Sequence, residues 1–252
     1  MIQVIKIGGG VLENEAQRNA FLRQFAAIEG PKVLVHGGGR LATTMADRLG
    51  VETHMIDGRR VTDKETLDIV TMVYGGLVNK QVVAQLQTMG VNAIGMTGAD
   101  GGWMKAVKRP IKNGIDYGYV GDVVEVNGAH LRTLLDNGLT PVIAPITFSA
   151  DGLLLNTNAD TVASETAVSL APDVQLNFCF EKAGVLSNPD DESSLIARIT
   201  PETYTQLKAD GIISGGMIPK IDNAFAAIEH GVQSVRITHS NQIQGGTIIE
   251  QA

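Results

Sequence analysis

Apolar residues follow two alternating patterns along the chain. Residues 2–7 (IQVIKI), 32–36 (KVLVH) and 174–180 (VQLNFCF) are short apolar runs bounded by turn residues, which is typical of buried strands. Residues 14–28 instead repeat apolar side chains at the spacing of a helix face, and residues 103–127 carry the turn signals of a hairpin. By these criteria further strands are predicted at 91–98, 141–146, 234–238 and 246–250, and further helices at 40–50, 62–89, 128–137, 157–171, 200–211 and 220–231. Strands and helices that alternate in this way predict an α/β fold with a mostly parallel sheet.

Composition narrows the classes of function. The net charge of −7 argues against nucleic acid as a partner, because a phosphate-binding face is basic. The single cysteine, Cys179, makes no intramolecular disulfide and favours a reducing, cytoplasmic location. The sequence has no apolar stretch of about 18 residues, and a strand predicted from residue 2 leaves no room for a signal peptide. We therefore expect no membrane partner.

Two predicted strands end in glycine triplets, VIKIGGG (4–10) and VLVHGGG (33–39). The P-loop pattern is absent, and residues 37–42 fit the dinucleotide pattern GxGxxA only as an isolated match. Glycine lets backbone N–H groups approach an anion, and a following helix adds its positive end. In a parallel sheet both loops would lie at the edge where ligands bind. Two anion-binding loops are therefore predicted, with tight turns that bind nothing as the alternative.

Two lysines and a carboxylate accompany these loops. Lys6 interrupts an apolar strand, where burial of its charge is costly unless an anion meets it; the alternative is a side chain that reaches solvent. Lys220 follows the glycine pair of SGGMIPK (214–220). Asp160, in NTNADT (156–161), either caps the next helix or forms a polar floor with Asn156. Cations, glycine loops and one carboxylate suit phosphoryl transfer, which depends on positioning and charge neutralisation.

Seven motifs, in order and spacing, resemble the amino acid kinase superfamily, and most closely its N-acetylglutamate kinase family. They are KIGGG, VHGGGR, GRRVTD, GYVGDV, LNTNAD, EKAGVL and ISGGMIPK, and they cover essentially the whole chain. The resemblance implies the amino acid kinase fold, a three-layer αβα sandwich with an open sheet. It also implies an N-terminal lobe (1–172) for an acylglutamate and a C-terminal lobe (173–252) for the nucleotide. The implied reaction is ATP-dependent phosphorylation of the side-chain carboxylate of an N-acyl-L-glutamate, in arginine biosynthesis.

The resemblance also implies residue roles. Lys6 and Lys220 would neutralise the transferring phosphoryl group, and Asp160 would orient both lysines. The implied substrate-binding residues are Gly37, Gly38, Arg60 and Asn156, with Arg60 on the α-carboxylate. The implied nucleotide-binding residues are Gly8, Gly9, Glu181, Lys182, Gly184, Val185, Leu186, Ser214, Gly215 and Gly216. Magnesium would be carried by the ATP phosphates, and no protein metal site is implied.

Two arginines depart from the family pattern. The residue before the substrate arginine is usually uncharged but is Arg59 here, and the residue after the second triplet is usually proline or small but is Arg40 here. An acetyl group offers a second cation nothing to bind, whereas a succinyl group ends in a carboxylate. We therefore hypothesise that Arg59 and Arg40 read a succinyl group. The alternative is that both point to solvent or pair with surface acids.

Other expectations concern assembly and competing functions. The chain begins shortly before Lys6, without the extra N-terminal helix of arginine-inhibited hexameric members, so we expect a homodimer without arginine feedback. Two other functions stay open: a sister kinase acting on another carboxylate or carbamate, and a non-catalytic sensor of an amino acid or nucleotide. GRRVT (58–62) argues against the first. The joint presence of Lys6, Lys220, Asp160 and Arg60 argues against the second.

Overall fold

The computed structural model of this chain describes residues 1–56, 58–188, 190–215 and 217–251. In chain order its strands are β1 (Ile2–Ile7), β2 (Lys32–His36), β3 (Met55–Ile56), β4 (Arg59–Arg60), β5 (Ala93–Met96), β6 (Met104–Lys108), β7 (Gly121–Val126), β8 (Thr140–Ile143), β9 (Ile146–Phe148), β10 (Leu154–Asn156), β11 (Val174–Phe180), β12 (Arg198–Ile199), β13 (Ser234–His239) and β14 (Thr247–Ile249). Its α-helices are α1 (Gly9–Glu13), α2 (Glu15–Ala27), α3 (Gly39–Leu49), α4 (Lys64–Val70), α5 (Asn79–Thr88), α6 (Gly128–Asp136), α7 (Ala159–Leu170), α8 (Pro201–Ala209) and α9 (Met217–Glu229).

Within these residues an eight-stranded sheet has the order β12-β14-β13-β11-β1-β2-β8-β5. Every neighbouring pair is parallel except β13 with β14. The mostly parallel sheet that the sequence predicts is therefore confirmed. Because β1 and β2 are central neighbours, with Ile7 opposite His36, the two glycine triplets leave the sheet side by side.

Alternating side chains of the central strands pack into two apolar cores, one on each face of the sheet. Val4 and Val35 pack with α6, α7, α8 and α9. Ile5 and Leu34 pack with α2, α3, α4 and α5. Successive side chains of a strand point to opposite faces, so this division gives three layers. The αβα sandwich implied by the resemblance is confirmed.

A four-stranded sheet, β10-β9-β6-β7, and the two-stranded pair β3-β4 lie beside the central sheet. The pair β6-β7 is antiparallel and confirms the hairpin predicted within 103–127. The polar positions of this small sheet form one wall of the site described below.

Two predicted elements differ in detail from the structure. The predicted helix 62–89 comprises α4, a π-helical stretch at Thr71–Val78, and α5. The predicted strand 141–146 is two strands, β8 and β9, which belong to different sheets. Apolar periodicity marks such a segment as buried but does not show where a proline (here Pro145) redirects the chain.

The division into lobes at residue 172 stays a prediction. The central sheet is continuous across it, because β11 pairs with β1 from Ile2–Val174 to Ile7–Cys179. One of the two cores likewise includes side chains from both sides of residue 172, such as Val162 and Ile221.

Candidate active site

The two glycine triplets touch each other at the carboxyl edge of the sheet. A Cβ atom on Gly9 would lie only 2.8 Å from the backbone nitrogen of Gly38, and one on Gly37 would lie 3.1 Å from the nitrogen of Gly9. Gly8 and Gly38 precede α1 and α3, and neither helix has a side-chain cap. The first N–H groups of both helices are therefore open to an acceptor from outside. A side chain at Gly9 would force the loops apart, whereas one at Gly37 would require a shift of a few tenths of an ångström.

A buried, neutral imidazole supports the second triplet. His36 is fully buried, and burial lowers its pKa to about 4, with the Lys80 charge a smaller cause in the same direction. Asn79 donates from Nδ2 to His36 Nε2 at 3.1 Å and to the Val142 carbonyl at 2.9 Å. Since Nε2 accepts, Nδ1 carries the proton and donates to the Gly37 carbonyl at 2.9 Å. The Nδ1–H bond to the loop would survive protonation, but only the neutral ring can accept from Asn79 at Nε2, so the neutral form links α5 to the second triplet.

The first triplet is preceded by a buried ion pair. Lys6 is 8% exposed, and its Nζ lies 2.8 Å from Oδ1 of Asp160. The angles are not those of a hydrogen bond, and Oδ1 accepts none from the described residues. The contact is therefore electrostatic, between a buried cation and a carboxylate that is 42% exposed.

Asp160 is free for this contact because another residue caps its helix. The side chain of Asn158 accepts the backbone N–H groups of Asp160 and Thr161 at the start of α7. Of the two roles that the sequence allows for Asp160, N-cap or site residue, the structure supports the second.

Lys220 comes from the first turn of α9 to the same place. Its Nζ lies 4.1 Å from the ring centroid of Phe180, the last residue of β11, and Lys6 Nζ lies 5.3 Å from the same centroid. Among the residues that the structure describes, Lys220 forms no ion pair. Asp160 therefore contacts one of the two lysines it was expected to orient, and an aromatic ring contacts both.

These residues line a cavity of about 510 Å³ between α7 and α9, whose lining includes Asp160, Phe178, Phe180 and Lys220. A second cavity, of about 220 Å³, begins at the second glycine triplet. It is lined by Gly37, Gly38, Arg59, Arg60, Arg109, Asn156 and Asn158, among others. Arg59 lines both cavities. The structure thus joins a strongly cationic pocket to the lysine pair.

Arg60 and Asn156 both line this second cavity. Arg60 is 9% exposed; its Nη2 donates to the Gly39 carbonyl and the Thr43 hydroxyl, and its Nη1 donates to the Thr53 hydroxyl. The Tyr74 hydroxyl is a further hydrogen-bond partner of this guanidinium, so most of its five N–H donors are used within the protein. Asn156 donates to Thr62 Oγ1 at 3.0 Å, which leaves its carbonyl oxygen to accept from a ligand. Both residues suit the substrate-binding roles expected of them.

Arg109 is a residue of this cavity that sequence reasoning missed. Its guanidinium holds Asp122 across the hairpin, with Nη2 at 2.6 Å and Nε at 3.0 Å from Oδ1, and lies 5.5 Å from the Tyr117 ring. The third nitrogen, Nη1, is buried without a hydrogen-bond partner among the described residues. The signal in the sequence was Asp122 in GYVGDV, placed opposite Arg109 by the hairpin.

Arg40 lies elsewhere than hypothesised. It is not part of the lining of the second cavity. A Cβ on Gly10 would lie 3.2 Å from Nη1 of Arg40 and 3.3 Å from Oε1 of Glu181. The structure therefore places Arg40 beside the first triplet and the expected nucleotide segment, away from the expected acyl pocket.

Apart from Gly8 and Gly9, the expected nucleotide residues lie after β11 and before α9. Glu181 and Lys182 are exposed, whereas Val185 and Leu186 are buried. Val185 donates its N–H to Thr247 Oγ1, and a Cβ on Gly184 would lie 2.7 Å from that oxygen. Ser214 and Gly215 are exposed ahead of Lys220, and Gly216 lies outside the described residues. Their contact with a nucleotide stays a prediction.

The model of the amino acid kinase family matches residues 1–239. The chain belongs to this family. It is 54% identical to the acetylglutamate kinase of Phocaeicola vulgatus, over 99% of this chain and 98% of that protein. It is 53% identical to the acetylglutamate kinase of Cytophaga hutchinsonii, over 96% and 92%.

Solved structures agree with the family assignment. The crystal structure of smu.665 from Streptococcus mutans UA159 superimposes with a TM-score of 0.77 at 29% identity, over 99% of this chain and 98% of that one. The family's members are kinases, so the glycine loops, lysines and cationic pocket described above belong to a phosphotransferase.

The neutral His36 predicts a pH-dependent stability. The unfolded imidazole protonates near its ordinary pKa of 6.5, whereas the folded one resists protonation down to about 4. The neutral imidazole therefore makes its full contribution to the free energy of unfolding above pH 6.5. This contribution is lost as the pH falls toward 4, by roughly 3 kcal/mol in all. Urea unfolding at several pH values should show this loss in the wild type and a smaller one in His36→Gln. The exposed His130→Gln serves as control and should keep the wild-type slope; equal slopes in all three proteins would contradict the assignment.

Proposed function

We propose that this protein transfers the γ-phosphoryl group of ATP to the side-chain carboxylate of an N-acyl-L-glutamate, as a step of arginine biosynthesis. This proposal rests on one observation. The two uncapped glycine loops lie at one edge of the sheet together with Lys6, Asp160 and Lys220, next to the pocket of Arg60. The names of the relatives support acetylglutamate as acceptor and do not favour a sister kinase or a sensor.

The chemistry needs no group on the protein to form a covalent bond. A γ-carboxylate oxygen attacks the γ-phosphorus of ATP from the side of the second triplet. The new oxygen–phosphorus bond forms while the bond to the β,γ-bridging oxygen breaks, and its electron pair leaves on ADP. The product is an acyl phosphate, and no proton is transferred. Lys6 and Lys220 neutralise the charge that spreads over the phosphoryl oxygens, and the N–H groups of Gly9 and Gly38 hold those oxygens in place.

Arg60 and Asn156 would bind the glutamate part of the substrate. Both N–H groups of Arg60 Nη2 are already used, so the guanidinium would bind an α-carboxylate through its charge and a single N–H, and not as a two-donor fork. The side-chain carbonyl oxygen of Asn156 suits the N–H of the substrate's amide. Because both residues line the second cavity, these contacts would direct the side-chain carboxylate toward the lysine pair.

Magnesium would arrive with ATP. Among the described residues no group of three or more His, Cys, Asp or Glu side chains is placed to hold a metal ion. The described lining of the cavity at Lys220 has two carboxylates, Asp160 and Glu165, too few to hold magnesium by themselves, which suits phosphates that already carry their ion. When bound, magnesium supplies charge neutralisation to the leaving phosphates.

Assembly and location are proposals as well. No helix within the described ranges has the length and apolar character to cross a bilayer. We propose a cytoplasmic homodimer, with contacts near the π-helical stretch, where Met72 and Leu77 are 57% and 39% exposed. Light scattering of the wild type and of Met72→Glu would test this site of contact.

The experiment that tests the function mixes the purified protein with Mg-ATP and N-acetyl-L-glutamate and traps the acyl phosphate with hydroxylamine. We expect hydroxamate to form in step with ADP. Lys6→Ala or Lys220→Ala should each lose roughly 3–5 kcal/mol of transition-state stabilisation, a fall in rate of about 10²–10³-fold or more. Lys64→Ala removes an exposed lysine paired with Asp68 and is the control. Near-wild-type turnover in both site variants would refute the mechanism.

A second candidate concerns the acyl group, and Arg109 favours it. A buried guanidinium nitrogen without a partner is costly, and an anion in the cavity would satisfy it. Arg59 lines the same cavity and has an exposed side chain. An acyl group that ends in a carboxylate, such as succinyl, would place that charge between the two arginines. We therefore propose that the acyl group is dicarboxylic, read by Arg59 and Arg109 and not by Arg40.

The prediction is a change in acyl preference. Wild-type protein should use N-succinyl-L-glutamate with higher kcat/KM than the acetyl compound. Arg59→Leu and Arg109→Met should each lower the succinyl-to-acetyl ratio by roughly 10–100-fold, because each removes a charged hydrogen bond. Arg40→Leu is the matched control and should leave the ratio unchanged. An unchanged ratio in Arg59→Leu and Arg109→Met, or activity with acetyl alone, would show that these arginines have a structural role.

A further inference from the structure

The ring of Phe180 occupies the point where the two lysines converge. It ends β11, lies next to β1, and is directly followed by the segment 181–186. Lys220 Nζ is 4.1 Å and Lys6 Nζ is 5.3 Å from its centroid. Both distances are within the range in which the negative face of an aromatic ring attracts an ammonium group. The relation to both lysines is specific to Phe180 among the ring contacts of the described residues.

The ring itself is held in place. Phe178 lies two residues earlier on the same face of β11 and stacks on Phe180, with centroids 6.2 Å apart and planes inclined by 20°. Phe178 is 7% exposed and belongs to the core under α7 and α9. Since Phe178 is fixed by core packing, the orientation of the Phe180 face is fixed as well.

Lys220 needs such a contact more than Lys6 does. Lys6 is buried against Asp160, whereas no carboxylate among the described residues pairs with Lys220. A lysine on the first turn of a helix has four rotatable bonds and would otherwise sample many positions in solvent. The ring restricts it to the wall of the cavity that Asp160 and Phe180 share.

We infer that Phe180 is a positioning residue, which holds the ammonium group of Lys220 next to the path of the phosphoryl group by a cation–π contact. This inference rests on the proposed phosphoryl transfer. An aromatic ring suits the task better than a second carboxylate would. It attracts the cation without neutralising its charge and without accepting a strong N–H hydrogen bond, so a phosphoryl oxygen does not have to displace an anion.

The test replaces Phe180 in the full chain by 4-fluoro-, 3,5-difluoro- and 3,4,5-trifluorophenylalanine. Each fluorine weakens the negative face of the ring while the shape of the side chain changes little. With Mg-ATP and N-acetyl-L-glutamate we expect log kcat to fall steadily with the number of fluorines, by about tenfold in total. The KM for the acylglutamate and the melting temperature should stay constant. A flat series would overturn the inference.

Two controls separate positioning from packing. The same fluorinated residues at Phe21, a fully buried ring of α2 with no cation contact among the described residues, should leave kcat unchanged. In a Lys220→Ala background the series at Phe180 should be flat, because the ring acts through that lysine. A decline that persists without Lys220 would show that fluorination disturbs the structure and would overturn the inference.

A readout independent of turnover keeps this inference distinct from the proposed function. In the wild-type protein the methylene protons next to Lys220 Nζ should show an upfield ring-current shift by NMR, and Phe180→Leu should abolish it. Absence of that shift in the wild type would overturn the contact even in an active enzyme. Presence of the shift in a protein that forms no acyl phosphate would retain the contact and refute the proposed reaction.

Discussion

The site depends on the close contact of two backbone loops. β1 and β2 are parallel neighbours, and their glycine triplets meet so closely that a Cβ atom at Gly9 would clash with the backbone of Gly38. That contact brings the unpaired N–H groups of two helix starts to one place. It also fixes the distance between the expected phosphate side, next to Gly8 and Gly9, and the acceptor side, next to the pocket of Arg60. Other side chains of the site are arranged around this junction.

The cations around the junction differ in burial and in the partner that each of them contacts. Lys6 is the most buried of the cations near the reaction centre and has the closest anionic partner, Asp160. Lys220 is held by an aromatic face, and Arg59 is exposed. A buried cation without any partner would be costly in the empty protein, whereas a fully paired one would bind a phosphate weakly. Intermediate partners keep the empty site stable and leave its positive charge to the substrates.

Local signals in the sequence could predict a mostly parallel sheet and nominate the glycine loops and the lysines as site candidates, whereas the three layers followed from the resemblance. Each of three signals can be recognised within about seven residues: a strand that ends in glycines, a lysine inside an apolar run, and an Asn-Thr-Asn-Ala-Asp stretch. The structure then brings Lys6, Asp160 and Lys220 together, as the resemblance implied.

The sequence could not predict contacts that depend on distant pairing. Arg109 acquires its place through the hairpin that sets Asp122 opposite it, and Phe180 through the register of β11 with β1. The placement of Arg40 required the mutual orientation of α3 and the segment after β11. In each case the side chain's type was visible, but its neighbours came from elements 13 or more residues away. In the proposed function these residues act at different points: Phe180 acts through Lys220 beside the group that is transferred, whereas Arg109 would bind the acyl end of the substrate. Selectivity and reaction class would then have separate residues, since the same glycine loops and lysines would serve whichever acyl group Arg59 and Arg109 admit.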